Sequence, residues 1–160
     1  MKDGYGGNAL EWAAQENRIS NAKMLIESGC DVNNLNGEGM TALYTACAEG
    51  NTDMARLLLN NNAEPDRTED ATPLIIASCY GKIDCAELLL EHGSDVNTID
   101  NEGRTALFYA MVYGQDEIEK LLSDHGASYD ICDKDGVSPG QLKDEGVKEQ
   151  VYSELMGEEE

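Results

Sequence analysis

The sequence predicts an all-α solenoid in which stacked helix-turn-helix units are joined by projecting turns. Two recurrences predict it. Residues that suit a helix start return at Asn8, Thr41, Thr72, Thr105 and Ser138, in steps of 33, 31, 33 and 33. The middles of the apolar runs return in the same register, at Leu25, Leu58, Leu89, Leu122 and Leu155, with the same four steps of 33, 31, 33 and 33. Periods of this length mark architectures whose units bury apolar surface only against their neighbours.

Each element of the unit has a local reason. The opening Asn, Thr or Ser offers a side-chain oxygen to a free first-turn N–H. Pro73 and Pro139 follow directly, where a missing N–H costs little. A short first helix then runs to Asn17, Gly50, Gly81 or Gly114, residues that accept a left-handed helix end. The second helix carries Met24-Leu25-Ile26, Leu57-Leu58-Leu59, Leu88-Leu89-Leu90 and Leu121-Leu122. It closes at Gly29, Asn62, Gly93 or Gly126. Polar stretches with turn chemistry follow, such as NNLNGEG, NTIDNEG and DICDKDG. The expected units are residues 3–35, 36–67, 68–99 and 100–132, with a capping unit at 133–156 and an acidic tail at 157–160, all within a single 1–160 domain.

Composition narrows the function. The 160 residues carry 32 Asp+Glu against 11 Lys+Arg, a net charge of −21. Phosphate backbones and anionic membrane surfaces recruit Lys and Arg, so nucleic-acid binding is not expected, and neither is membrane attachment. No apolar run approaches the roughly 18 residues of a membrane span, and the N-terminal stretch lacks the apolar core of a signal peptide. The five cysteines are odd in number and contain no C-x-x-C pair, which points to reduced thiols rather than a disulfide framework or zinc site. A cytoplasmic or nuclear location and a monomeric state are expected.

These residues resemble the ankyrin repeat. The motifs are Gly39 to Leu43 and Gly103 to Leu107 (G-x-T-x-L), the equivalent Thr72-Pro73-Leu74, and the LLLEHGSDVN string from Leu88 to Asn97. The resemblance covers roughly residues 3 to 156. Three departures stand out. Glu11, Tyr44, Ile75, Phe108 and Gln141 replace the family's usual His. The turn between the second and third units is two residues short, within 63–71. Gly140 and Lys143 occupy apolar slots of the last unit, where Gly146 also sits one place early. A polar last unit suits a cap, and Glu11, Gln15, Glu16, Asn17 and Arg18 suggest an N-terminal cap. A chain cut from a longer protein is the alternative.

Catalytic and cofactor motifs do not survive inspection. His92 and His125 are one repeat apart, and a helix-end position explains them better than a metal site does. The G-x-G-x-x-A match from Gly37 to Ala42 lacks the buried strand that a dinucleotide site needs. Ile131 stands where a calcium loop needs Asp or Asn. Cys30, Cys47 and Cys85 fill apolar slots, and no nucleophile has an evident base. No enzyme activity, cofactor or metal is expected.

The resemblance implies a binding module whose partner meets the projecting turns and the exposed ends of the first helices, which together line a concave face. By position, the contact residues are Tyr5, Glu38, Met40, Ala71, Glu102 and Arg104 on the turns, and Glu16, Glu49, Cys79, Tyr80, Val112 and Tyr113 at the helix ends. Tyr80 and Tyr113 should stand side by side in an apolar patch rimmed by Glu16, Glu38, Glu49 and Glu102. Such a patch favours a basic or basic-aromatic protein segment. Trp12, at the position of Thr45, Ile76 and Tyr109, is expected to pack inward. The family implies an adaptor or scaffold. The alternatives are a regulator that masks an enzyme surface, as the short ankyrin-type inhibitors of cyclin-dependent kinases do, or a scaffold fragment of a larger multidomain protein. Asn33 (with Leu25) and Asn97 (with Leu89) fit the family's asparagine hydroxylation pattern; Asp66 and Asp130 stand at the equivalent places.

Overall fold

The computed structural model describes residues 9–157, so Tyr5, the cap residue Asn8 and residues 158–160 of the acidic tail lie outside the described residues. Helix pairs follow one another in order: α1 (Ala9–Gln15) and α2 (Ile19–Glu27), α3 (Ala42–Glu49) and α4 (Thr52–Asn60), α5 (Pro73–Cys79) and α6 (Ile83–Glu91), α7 (Ala106–Val112) and α8 (Asp116–Asp124). A 3-10 helix, Pro139–Lys143, and α9 (Glu145–Met156) complete the chain, with no strand among the described residues. The first helices pack on one another as an inner row, α1 on α3 on α5 on α7. The second helices form an outer row, α2 on α4 on α6 on α8.

The caps are those the sequence predicts. Oγ1 of Thr41, Thr72 and Thr105 accepts the backbone N–H of Tyr44, Ile75 and Phe108 at 3.2, 3.3 and 3.2 Å. Asn17 and Asn62 are the positive-φ residues other than glycine among those described, at φ 52° and 67°. Each stands where its neighbouring units have Gly, because Asn tolerates the left-handed region better than other side chains do.

The core repeats with the same period. Leu10, Leu43, Leu74 and Leu107 of the inner row and Leu58, Leu89 and Leu122 of the outer row are at most 1% exposed. Ala13, Ala46, Ala77 and Ala110 are fully buried, and their small side chains let the inner helices approach closely. A buried leucine contributes roughly 2 kcal/mol by area, so stability builds up as a sum of unit-to-unit interfaces.

One expectation is corrected. Trp12 does not pack inward: it is 50% exposed, and Met24 beside it is 68% exposed. The first unit thus carries an apolar patch besides the exposed Gln15, Glu16, Asn17 and Arg18. In the last unit the first helix is a 3-10 turn, consistent with Gly140 in the slot of an apolar residue. The Gly140 N–H donates to the Tyr129 carbonyl at 2.8 Å, and a Cβ there would lie 3.1 Å from that oxygen. The α9 helix packs chiefly on this 3-10 turn and on α7, which draws it toward the inner row.

Candidate functional site

Three of the projecting turns are built on one side chain each. Asn36, Asp100 and Asp133 use Oδ1 to accept the N–H groups two and four residues on, between 2.8 and 3.0 Å. Backbone bonds from Asn36 to Met40, Asp100 to Arg104 and Asp133 to Val137 close the loops at 2.8, 3.0 and 2.9 Å. This puts Glu38 and Glu102 at exposed tips, with Asp135 in the same place one unit on. The two-residue deletion removes this device from the third turn. There Thr68 Oγ1 accepts the Asp70 N–H at 3.3 Å, and the Glu69 N–H donates to the Gly39 carbonyl at 3.1 Å.

The inner face joins these turns to the ends of the inner helices. Tyr80 is 60% exposed, and Glu16, Glu49, Glu38 and Glu102 are also exposed. Met40, Ala71 and Cys79 are half-buried between them. Two proposed contact residues are covered. Val112 is 2% exposed, next to α9 residues Lys148, Tyr152 and Ser153. Arg104 is drawn into the fold: its Nε lies 3.1 Å from Asp133 Oδ2, its NH2 group 3.9 Å from Asp135, and its guanidinium 5.3 Å from the Phe108 ring centroid. The positive charge of the face is therefore matched internally.

Tyr113 has different ring partners from those the sequence suggests. It stacks on Tyr109 at 6.3 Å with a 9° interplanar angle, and meets Tyr152 edge-on at 6.1 Å. The Tyr109 hydroxyl donates to Asp100 at 2.6 Å, tying α7 to its turn. Tyr44, Tyr109 and Tyr152 were missed in the sequence. The spacing of four between Tyr109 and Tyr113 was the available signal for the first pair. Nothing in the repeat register announces Tyr152, because α9 leaves that register.

Burial dominates the shifts of the ionisable groups on this face. Burial, and then Tyr80, Cys79, Asp70 and Glu38, raise the Tyr44 phenol. Burial pushes Tyr109 up, with Asp100 adding to it. The Cys79 thiol is pushed up to about 12 by burial, with a further contribution from Asp100.

The remaining sequence candidates take structural places. Nδ1 of His92 and His125 pairs with the carbonyls of Leu88 and Leu121 at 2.9 and 2.8 Å, within the closing turns of α6 and α8. Asn33 accepts the Glu64 N–H at 2.8 Å and donates to the Asn62 carbonyl at 3.1 Å. Asn97 repeats this with Ser128 at 2.8 Å and Gly126 at 3.4 Å. Asp66, in the equivalent place, accepts from Ser94 Oγ and from the Asp95 N–H. Cys47 and Cys85 meet in the core between the second and third units. A hydrogen bond from Cys47 lowers the Cys85 thiol to about 7, with Thr52 contributing, while Cys47 is raised. No described helix is long and apolar enough to cross a membrane.

The chain is 37% identical over 91 residues to a serine/threonine-protein kinase 12 of Arabidopsis thaliana, an alignment covering 56% of this chain and 20% of the kinase. It is 34% identical over 96 residues to mouse (Mus musculus) Rabankyrin-5, covering 60% of this chain and 7% of that protein. To neurogenic locus notch homolog protein 1 of Xenopus tropicalis it is 32% identical over 106 residues, covering 64% of this chain and 4% of that one. The chain thus matches a fifth or less of each relative's length. The family model for ankyrin repeats matches residues 10–100 and 62–135, most of the described chain. Its helix pairs, turns and matching motifs make this chain a member of the ankyrin-repeat family.

Proposed function

We propose that the chain is a non-catalytic protein-interaction module, an adaptor or scaffold, that binds a basic or basic-aromatic segment of another protein along its inner, concave face. The observation that carries this reading is the position of Tyr80. It is an exposed aromatic anchor at an inner-helix end, on a face that also carries the exposed Glu38, Glu49 and Asp70, while Arg104 is already paired with Asp133 and Glu102 with Lys134. Aromatic anchors within a polar rim are where binding energy concentrates. Carboxylates such as those of Glu38 and Glu49 speed the approach of a cationic partner and make that rate fall with salt. The contact set is Glu16, Glu38, Met40, Glu49, Ala71, Cys79, Tyr80 and Glu102, with Tyr44 and the open edge of Tyr113 added. The setting is a reducing compartment, cytoplasmic or nuclear.

The experiment is affinity capture from cell lysate with mass spectrometry, using wild type beside Tyr80→Ala and Tyr80→Ala with Tyr113→Ala, each checked for folding by circular dichroism. A partner held by the wild type and lost by Tyr80→Ala supports the reading. A partner held equally by all three moves the site to the outer row.

A further inference from the structure

Cys47 of α3 and Cys85 of α6 bring two thiols together where the second unit meets the third. They are 0% and 1% exposed, and the Cys47 thiol donates a hydrogen bond to the Cys85 sulfur. The repeat does not require this pair. The same two slots hold Ala14 with Met54 one unit earlier, and Ser78 with Ile118 one unit later. Cys85 also lines a pocket of about 180 Å³ that opens between Gly50 and Gly81, with Thr52, Lys82 and Asp84 on its walls. The Thr52 hydroxyl lies 3.6 Å from the Cys85 sulfur. One sulfur of a buried pair thus borders space that is open on one side.

We propose that this pocket makes Cys85 an oxidation site for hydrogen peroxide, and that Cys47 is the thiol that resolves the product into a disulfide. The Cys85 thiolate attacks one peroxide oxygen. An S–O bond forms, the O–O bond breaks, and the hydroxide released takes up the thiol proton as water. The Cys47 sulfur then attacks the Cys85 sulfur. An S–S bond forms, the S–O bond breaks, and hydroxide leaves with the Cys47 proton as a second water. The thiol pair loses two electrons, and one peroxide is reduced to two waters. Hydrogen bonds from Cys47 and Thr52, helped by the charge of Lys82, bring the Cys85 thiol to about 7 against burial and Asp84, so thiolate is present at neutral pH. Sulfurs already joined by a hydrogen bond need only side-chain rotation and a short approach to reach the bonded separation of about 2.05 Å. Size separates this chemistry from alkylation. An alkylating agent leaves a bulky group that the packed sulfurs accommodate only as the stack opens, whereas peroxide adds one oxygen that the second step removes. The disulfide ties the inner helix of the second unit to the outer helix of the third, across the joint whose turn is two residues short. The inference is independent of the partner on the inner face.

The test is a hydrogen peroxide titration of the full, reduced chain at neutral pH, followed by intact mass and peptide mapping. The expected product has lost two hydrogens, yields the Cys47 and Cys85 peptides joined, and returns to the starting mass with dithiothreitol. The linked chain needs more urea to unfold than the same sample after reduction, because the bond restricts the unfolded chain. Cys47→Ala, checked for folding by circular dichroism, stops at one added oxygen on Cys85, trapped there by dimedone. The rate of linkage in wild type stays the same in urea below the unfolding transition, since the pocket is the way in. Several results overturn the proposal: Cys85 left reduced at peroxide levels that oxidise the exposed Cys132, linkage of other cysteines instead, a linked chain no more resistant to urea, or a dimedone adduct absent from Cys47→Ala. A rate that climbs with urea below the transition would make opening of the stack the route, and overturns it equally.

Discussion

Arg104 Nε lies 3.1 Å from Asp133 Oδ2, and the two side chains are 11% and 2% exposed. This pair joins the fourth projecting turn to the fifth and removes the positive charge of Arg104 from the inner face. Asp133 also accepts the N–H groups of Asp135 and Val137, so its carboxylate shapes the loop as well as holding the arginine. Asp133→Ala leaves a guanidinium and two backbone donors short of an acceptor. The expected loss is about 3 kcal/mol, in the range for breaking a buried pair from one side. Urea unfolding of the variant beside wild type checks it. A loss within experimental error would mean the loop is held by the backbone alone.

Asn33 and Asn97 act as stitches between successive units, each amide both accepting from and donating to the next unit's turn. Asn33→Ala should cost about 0.5–1.5 kcal/mol, because the Glu64 N–H and Asn62 carbonyl exchange their partner for water. Asn33→Asp keeps the acceptor, as Asp66 does one unit later, and should cost less. Thermal melts of both variants test the order. The proposed hydroxylation of Asn33 or Asn97 is read separately, as a one-oxygen mass increment in protein isolated from its source.

A net charge of −21 spread over one stack of helices opposes compaction through self-repulsion. Ion pairs are few among the described residues, and of the four only Arg104–Asp133 has both side chains mostly buried. Moderate salt should therefore raise the melting temperature. A fall on adding salt would show that specific pairs outweigh the general repulsion.

Alkaline pH should destabilise the fold. Burial raises the Cys79 thiol from its ordinary 9.0 to about 12 and also raises Tyr44, Tyr109 and Tyr113. For groups whose folded pKa is raised, the contribution is complete below the unfolded value and lost as pH rises through the folded one. The loss from these four groups should set in above about pH 9, as urea midpoints across the alkaline range will show. The same burial orders the thiols. The exposed Cys132 should alkylate first near pH 8, Cys79 should lag because little of it is thiolate, and the core pair Cys47 and Cys85 should react only as the stack opens.

The periodic part of the molecule was legible in the sequence because each helix start and end is encoded locally. Thr41, Thr72 and Thr105 cap where they stand, and Asn17 and Asn62 replace Gly at left-handed ends. What failed was whatever depends on a unit having no equivalent neighbour. Trp12 has the inward slot of its repeat, yet the unit that would cover it is not among the described residues. Val112 has the slot of an exposed contact, yet α9 departs from the outer row and lies beside it. Arg104 was placed correctly on a turn, but its pairing with Asp133 spans two units and leaves no mark on spacing.

The most direct test of the central claim is selection of binding peptides from a random display library on the wild-type chain. The selected peptides are then rebound to Tyr80→Ala and to Glu38→Lys with Glu102→Lys. The account predicts sequences enriched in Lys, Arg and aromatic residues, weakened by both variants and by added salt. Neutral or acidic sequences, or binding unchanged by the variants, would contradict an acidic, tyrosine-anchored inner face as the site of recognition.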